Sequence, residues 1–239
     1  MQAWTSSAVT EIGHRRNNED AYLEAADLRL WAVADGMGGH AHGEVASHTA
    51  LHALRGAVLD GKDLPAALAA ANRATWERAH HHGSDMGTTL VALRLGSRGY
   101  EVAWLGDSRA YRFRDDRGLE QLTSDHTVVQ EWVIQGLLTA EEARDHPYGH
   151  VLIRALGLDP DAVPDTREGD LAGGEIFLLC SDGLSDTLTA EQIAGVLGTS
   201  APGESPGALA RAAREAGNPY QDNLTAVVVW SSSPPKTGR

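Results

Sequence analysis

The order of its strand-like runs is what most limits how this chain can fold. The runs are AYLEAA (21–26), LRLWAVAD (28–35), TTLVALRL (88–95), YEVAWLGD (100–107), RAYRFR (109–114), EIFLLCSD (175–182) and NLTAVVVW (223–230). Most are apolar or alternating, rich in Val, Leu, Tyr and Trp, and bounded by Gly or Asp. Helical segments interrupt them in groups rather than one per strand. In 43–59, Ser47, Leu51, Leu54 and Val58 share one stripe. Asp63 can cap the segment from Leu64 to His82, with Pro65 in its first turn. Thr139 with Glu142, and Thr189 with Gln192, fit capping boxes. Ser205 and Pro206 open a last helix that Gly217 can close. Strands, a helix pair, more strands, a helical insert, then strands again: this order predicts an α+β fold with largely antiparallel sheets, not a doubly wound parallel one.

The chain has 239 residues, 42% of them hydrophobic, enough for a substantial core. No internal repeat or linker divides it, so one domain is expected over 1–231, with SSSPPKTGR as a disordered end (tail 232–239). Twenty basic against 33 acidic residues give a net charge of −13. That balance argues against nucleic-acid binding and against docking to an anionic membrane. Neither a signal peptide nor an apolar run of ~18 residues is visible, and the single cysteine, Cys180, permits no intramolecular disulfide. A cytoplasmic location is expected. Cys180 lies within an apolar run and reads as a small core residue.

The aspartates carry the chemistry. Asp35, Asp107 and Asp182 end apolar runs, while Asp20 and Asp222 immediately precede them. Taken singly, each also reads as a turn former. Five carboxylates at strand ends on one edge would converge, and each pair repels by roughly 4 kcal/mol at ~4 Å and an effective dielectric near 20. A divalent cation relieves that repulsion, and oxygen-only ligands favour magnesium or manganese over zinc. Arg15, five positions before Asp20, can reach the same edge, where its fork matches two phosphate oxygens.

The blocks GHRRNNEDA, VADGMGGHAHGEVAS, DMGTTLVAL, AWLGDSRAYRF, LTSDHTVVQE, HPYGHVLIRALG, LLCSDGLSD and DNLTAVVV resemble, in order and over nearly the whole chain, the bacterial metal-dependent serine/threonine protein phosphatases of type 2C, the PPM family. The resemblance implies a four-layer αββα sandwich, two antiparallel sheets flanked by helix pairs, with a helical flap insert at about 124–160. It implies two to three divalent cations, manganese or magnesium. Asp35 bridges two of them, the Gly36 carbonyl ligates one, and Asp182 and Asp222 complete the other. Glu19 and Asp20 hold metal-bound waters, Asp107 with Asp182 takes a third metal, and Arg15 grips the phosphate. Ions ~3.5–4 Å apart share a water, and the hydroxide it yields attacks phosphorus in line. The implied partners are phosphorylated proteins and a cognate serine/threonine kinase pathway, with type VI secretion regulation as one setting. A monomer is expected.

Several positions depart from the family pattern. Met37 stands where many eukaryotic relatives have a histidine that is a candidate general acid. His40 matches the bacterial pattern; it either protonates the leaving group or is a helix-start histidine bonded to the backbone. Gly149 and His150 stand where bacterial relatives often carry Arg and Asn. His80 to His82 read as solvated surface. Three rival readings are weaker. GDSRAY resembles an esterase nucleophile block, but all 11 histidines lie at or before His150, leaving Ser108 no late partner. DGMGGHAHGE lacks the lysine and hydroxyl of a nucleotide phosphate loop. A catalytically inactive phosphoprotein-binding regulator of the same fold would be expected to lose metal carboxylates, and this chain keeps them.

Overall fold

The computed structural model describes residues 3–38, 42–144 and 146–231. Along the chain the elements are β1 (Trp4–Glu11), β2 (Asp20–Ala25), β3 (Leu30–Met37), α1 (His42–Leu59), α2 (Leu64–His82), β4 (Gly87–Thr88), β5 (Leu90–Leu95), β6 (Gly99–Leu105), β7 (Arg109–Arg114) and β8 (Gly118–Gln121). There follow α3 (Val128–Ile134), α4 (Ala140–Arg144), β9 (Asp165–Asp170), β10 (Ile176–Cys180), α5 (Asp182–Ser185), α6 (Ala190–Thr199), α7 (Ser205–Ala216) and β11 (Leu224–Ser231). One sheet has the order β1-β11-β10-β7-β8 and the other β2-β3-β5-β6-β9, with β4 paired to β3. Every strand pairing among the described residues is antiparallel, as the element order predicts.

Successive side chains of a strand point to opposite faces, so each inner strand feeds two cores. Trp31 and Val33 of β3 meet Phe177 and Leu179 of β10 and Val227 and Val229 of β11 between the sheets. The alternate residues, Ala32 and Ala34, face Leu51 and Leu54 of α1 and Leu64 and Leu68 of α2. On the far side, Leu178, Cys180, Ala226 and Val228 pack against Ile193 and Leu197 of α6 and Leu209 and Ala213 of α7. Helices, sheet, sheet and helices thus stack as four layers. Burial on both faces is why runs such as FLLC and TAVVVW show little polar alternation. The α1–α2 face of its sheet is rich in alanine, which lets the helices approach closely.

Helix ends follow their sequence signals. The Asp63 carboxylate accepts from Ala66 N at 2.9 Å, and Gly83 closes α2 with φ 57°. Both capping boxes form: Thr139 and Glu142 bond reciprocally, as do Thr189 and Gln192. Of the predicted stripe, Ser47, Leu51, Leu54 and Val58 are all buried. Cys180 is buried, and desolvation pushes its thiol up to about 12, so it is an inert core residue. The 232–239 tail lies outside the described residues. Among those residues, no helix is long and apolar enough to cross a membrane.

Candidate active site

The antiparallel registers bring the aspartates to one edge. Asp20 opens β2 directly opposite Asp35 in β3. The start of β5, at Leu90, faces the end of β6, at Leu105, two residues before Asp107. In the other sheet the end of β10 pairs with β11 near its start, Cys180 facing Ala226, so Asp182 and Asp222 flank that end. Not every aspartate sits where the sequence runs place it. Asp35 lies inside β3 rather than at its end, and Asp182 is the first residue of α5, because β10 stops at Cys180.

These side chains line a cleft of about 660 Å³ together with Arg15, Glu19, Gly36, Met37 and His150. Asp20 does not line it: it lies beneath, 6% exposed, and its Oδ2 accepts from Ser181 Oγ at 2.7 Å. Arg15 is ion-paired to Asp222 and is largely exposed. His40 lies outside the described residues.

A hydroxyl ladder fixes Asp35. Its backbone N–H donates to Thr89 Oγ1 at 3.1 Å, its carbonyl accepts from Thr89 N at 2.8 Å, and Thr89 Oγ1 bonds Ser108 Oγ at 2.7 Å. Ser108 is thus a buried strut, not a nucleophile. Asn223 clamps the other half: its Oδ1 accepts from Glu19 N, and its Nδ2 donates to the carbonyls of Ile12 and Asn17. His126 holds the Asp107 loop, its Nδ1 accepting from Gly106 N at 3.0 Å and its backbone N–H donating to Gly106 O at 3.0 Å. Gly36 is dictated by crowding, because a Cβ there would sit 2.1 Å from the Gly43 carbonyl oxygen. Only glycine lets β3 touch the first turn of α1.

Burial and mutual repulsion raise Asp20, Asp35, Asp107 and Asp182 above the usual carboxylate range. Desolvation, then Asp20, Asp182 and Asp107, raises Asp35 well above the usual carboxylate range. Asp107 is raised strongly too, by desolvation and then Asp182. Asp20 is pushed up to about 7, chiefly by burial. Asp182 rises to about 6 by burial, then Asp186 and Asp222. The buried Oδ1 atoms of Asp20 and Asp182 have no hydrogen-bond partner among the described residues. Oxygen donors with unspent negative charge fit hard divalent cations.

Sequence reasoning missed Asp186. Ligand atoms of His150, Asp182 and Asp186 lie within 4.8 Å of one another, and His150 Nδ1 is 3.2 Å from Asp186 Oδ2. The i, i+4 spacing of the two aspartates across the short helix α5 was the available signal. His150 joins the cluster directly.

The family model for protein phosphatase 2C matches residues 11–227. The chain is 41% identical over 224 residues to the serine/threonine protein phosphatase PstP of Mycobacterium tuberculosis, covering 90% of this chain and 42% of that one. It therefore spans less than half the length of that relative. A solved catalytic domain of PstP in complex with two manganese ions superposes with a TM-score of 0.86 at 36% identity, covering 98% of this chain and all of that one. PppA, described as a key regulatory component of the type VI secretion system in Pseudomonas aeruginosa, superposes with a TM-score of 0.82 at 34% identity, covering 95% and 97% of the two chains.

Proposed function

The chain belongs to the protein phosphatase 2C family, and from that premise we propose that it hydrolyses phosphoserine and phosphothreonine on proteins with divalent cations as cofactors. The observation that carries the reading is the gathering of Asp35, Asp107, Asp182 and Asp222 with Arg15 around one cleft. Asp35, the Gly36 carbonyl, Asp182 and Asp222 would hold two cations, manganese or magnesium. Asp107, with Asp182, would hold a third, and Asp186 and His150, whose ligand atoms lie within 4.8 Å of that of Asp182, would be further candidate ligands. Glu19 and Asp20 would order the surrounding water. When bound, the cations supply an activated water at neutral pH and neutralise charge on the phosphoryl oxygens.

The chain's own residues do the rest. Arg15 leaves Asp222 for the incoming phosphate, its fork matching two oxygens. The Thr89–Ser108 ladder keeps Asp35 from shifting as charge builds. Met37 lines the cleft but has no proton to give, so His40 is assigned the proton donated to the leaving serine or threonine oxygen. Residues 124–160, which carry α3, α4 and His150, act as the flap over the cleft. One domain over 1–231, a monomer in the cytoplasm, completes the reading. Opposition to a cognate serine/threonine kinase is the pathway it implies, and the likeness to PppA supports type VI secretion regulation as a setting.

The test is direct. Purified protein with millimolar manganese should turn over a phosphothreonine peptide and p-nitrophenyl phosphate. Asp35→Asn should abolish both activities with the circular dichroism spectrum unchanged. An inactive wild type, or an Asp35→Asn protein of undiminished rate, sinks the assignment. The retained carboxylates are what favour catalysis over an inactive phosphoprotein-binding regulator.

A further inference from the structure

A second cavity, of about 680 Å³, opens beside the active-site cleft and shares His14 with it. Its floor is apolar, while Asn218, Gln221, Glu11 and Arg214 make its walls polar. Ala210 and Ala213 of α7 are each 1% exposed, and Leu224 of β11 is 2% exposed. Ile12 also lines it and is 45% exposed, a large aliphatic group left in water. The two charged residues of the wall, Arg214 and Glu11, are ion-paired to each other.

The partition between the two cavities is the backbone just after β1. Gly13 has φ +59°, and a Cβ there would meet the Asp222 carbonyl oxygen at 2.2 Å, so only glycine fits. His14 N donates to Gln221 O at 2.8 Å, and His14 Nδ1 bonds Pro219 O at 2.8 Å. The junction of cleft and groove is therefore pinned to the 219–222 segment.

We propose that this groove receives an apolar side chain of the phosphoprotein substrate, two or three residues from the phosphorylated one. The inference rests on the phosphatase reading above. Continuity at His14 selects the occupant, because a chain whose phosphate sits on Arg15 must run past His14 to leave the cleft on that side. Chain length sets the spacing. Arg15 and Ile12 are three residues apart, at most ~11 Å at ~3.3–3.6 Å per residue, so an extended substrate needs no more than about three residues, and two where the path is shorter. Burial of an aliphatic side chain there favours binding by roughly tenfold to a hundredfold.

The experiment compares phosphothreonine peptides that carry Leu or Gly two or three positions to either side of the phosphoresidue, with millimolar manganese. p-Nitrophenyl phosphate, which is too small to reach the groove, serves as the control. Leu should lower KM about tenfold against Gly at one of those positions. Ile12→Asp, and Ala213→Leu, which fills the floor, should each erase that preference and leave p-nitrophenyl phosphate turnover unchanged. Equal kcat/KM for Leu and Gly peptides at every position overturns the groove, as does a preference that survives both variants. Should a variant lose p-nitrophenyl phosphate turnover through misfolding, the wild-type peptide pairs still decide. A wild type inactive on every substrate is a different result: it removes the phosphatase reading and the groove with it.

Discussion

At the scale of single residues, the cleft gathers anionic oxygens and places one guanidinium beside them. Arg15 is exposed and ion-paired to Asp222, so its fork is within reach of the cleft. Proton donation to the leaving group calls for a histidine, and His14 and His150 are the described ones that line the cleft, His150 paired with Asp186. Met37 has no proton to give, and His14 Nδ1 is bonded to Pro219 O. The proposed mechanism gives that proton to His40, and leaving-group chemistry isolates its part. A threonine alkoxide needs a proton, whereas p-nitrophenolate leaves without one. His40→Ala should lower kcat on a phosphothreonine peptide by about a hundredfold, the lower end of general-acid effects, while p-nitrophenyl phosphate turnover changes little. Equal losses on both substrates would assign His40 a structural part instead.

At the scale of elements, the strands buried on both faces were legible, because FLLC and TAVVVW carry a signal that no loop imitates. β1, β8 and β9 were not legible. They lie at sheet edges, and WTSSAVTE and DTREGD are polar where edges meet water. The caps of α2, α4 and α6 were legible to the residue, since capping is local chemistry, whereas Thr127, which caps α3, was not read. The site was legible as far as its aspartates. Asp186 was not read, because its meaning depends on α5 turning it back towards Asp182, and His126 was not read, because its bond to Gly106 joins residues twenty apart. Caps away from the cleft should affect stability alone. Thr189→Ala removes one arm of the box that starts α6, whose Ile193 and Leu197 are buried in the outer layer. The substitution should lower unfolding free energy by about 1 kcal/mol with kcat unchanged, as measured by urea denaturation and steady-state kinetics. A fall in kcat would mean that α6 is coupled to the cleft.

At the scale of the whole molecule, two sheets converge on a set of like charges, and that convergence opposes folding until the charge is neutralised. Protons and cations compete to do so. Asp20 is raised to about 7 and Asp182 to about 6, with Asp35 and Asp107 raised as well. An unfolded aspartate loses its proton near ~3.9, so between that pH and the raised values the folded chain holds more protons than the unfolded one. The stability this contributes is fully present below ~3.9 and is lost as pH climbs through the folded values, about 6 for Asp182 and about 7 for Asp20. Metal-free protein should therefore melt at a lower temperature at pH 8 than at pH 5.5. Divalent cations should invert the dependence, because in the proposed mechanism they bind the ionised carboxylates of the folded state. At a hundred times the dissociation constant a single bound ion stabilises by about 2.7 kcal/mol. Thermal melts at the two pH values, in chelator and then in millimolar manganese, test both halves. A chelated protein that melts higher at pH 8, or one that manganese fails to stabilise there, would show that the carboxylates at this edge are not held in strained proximity.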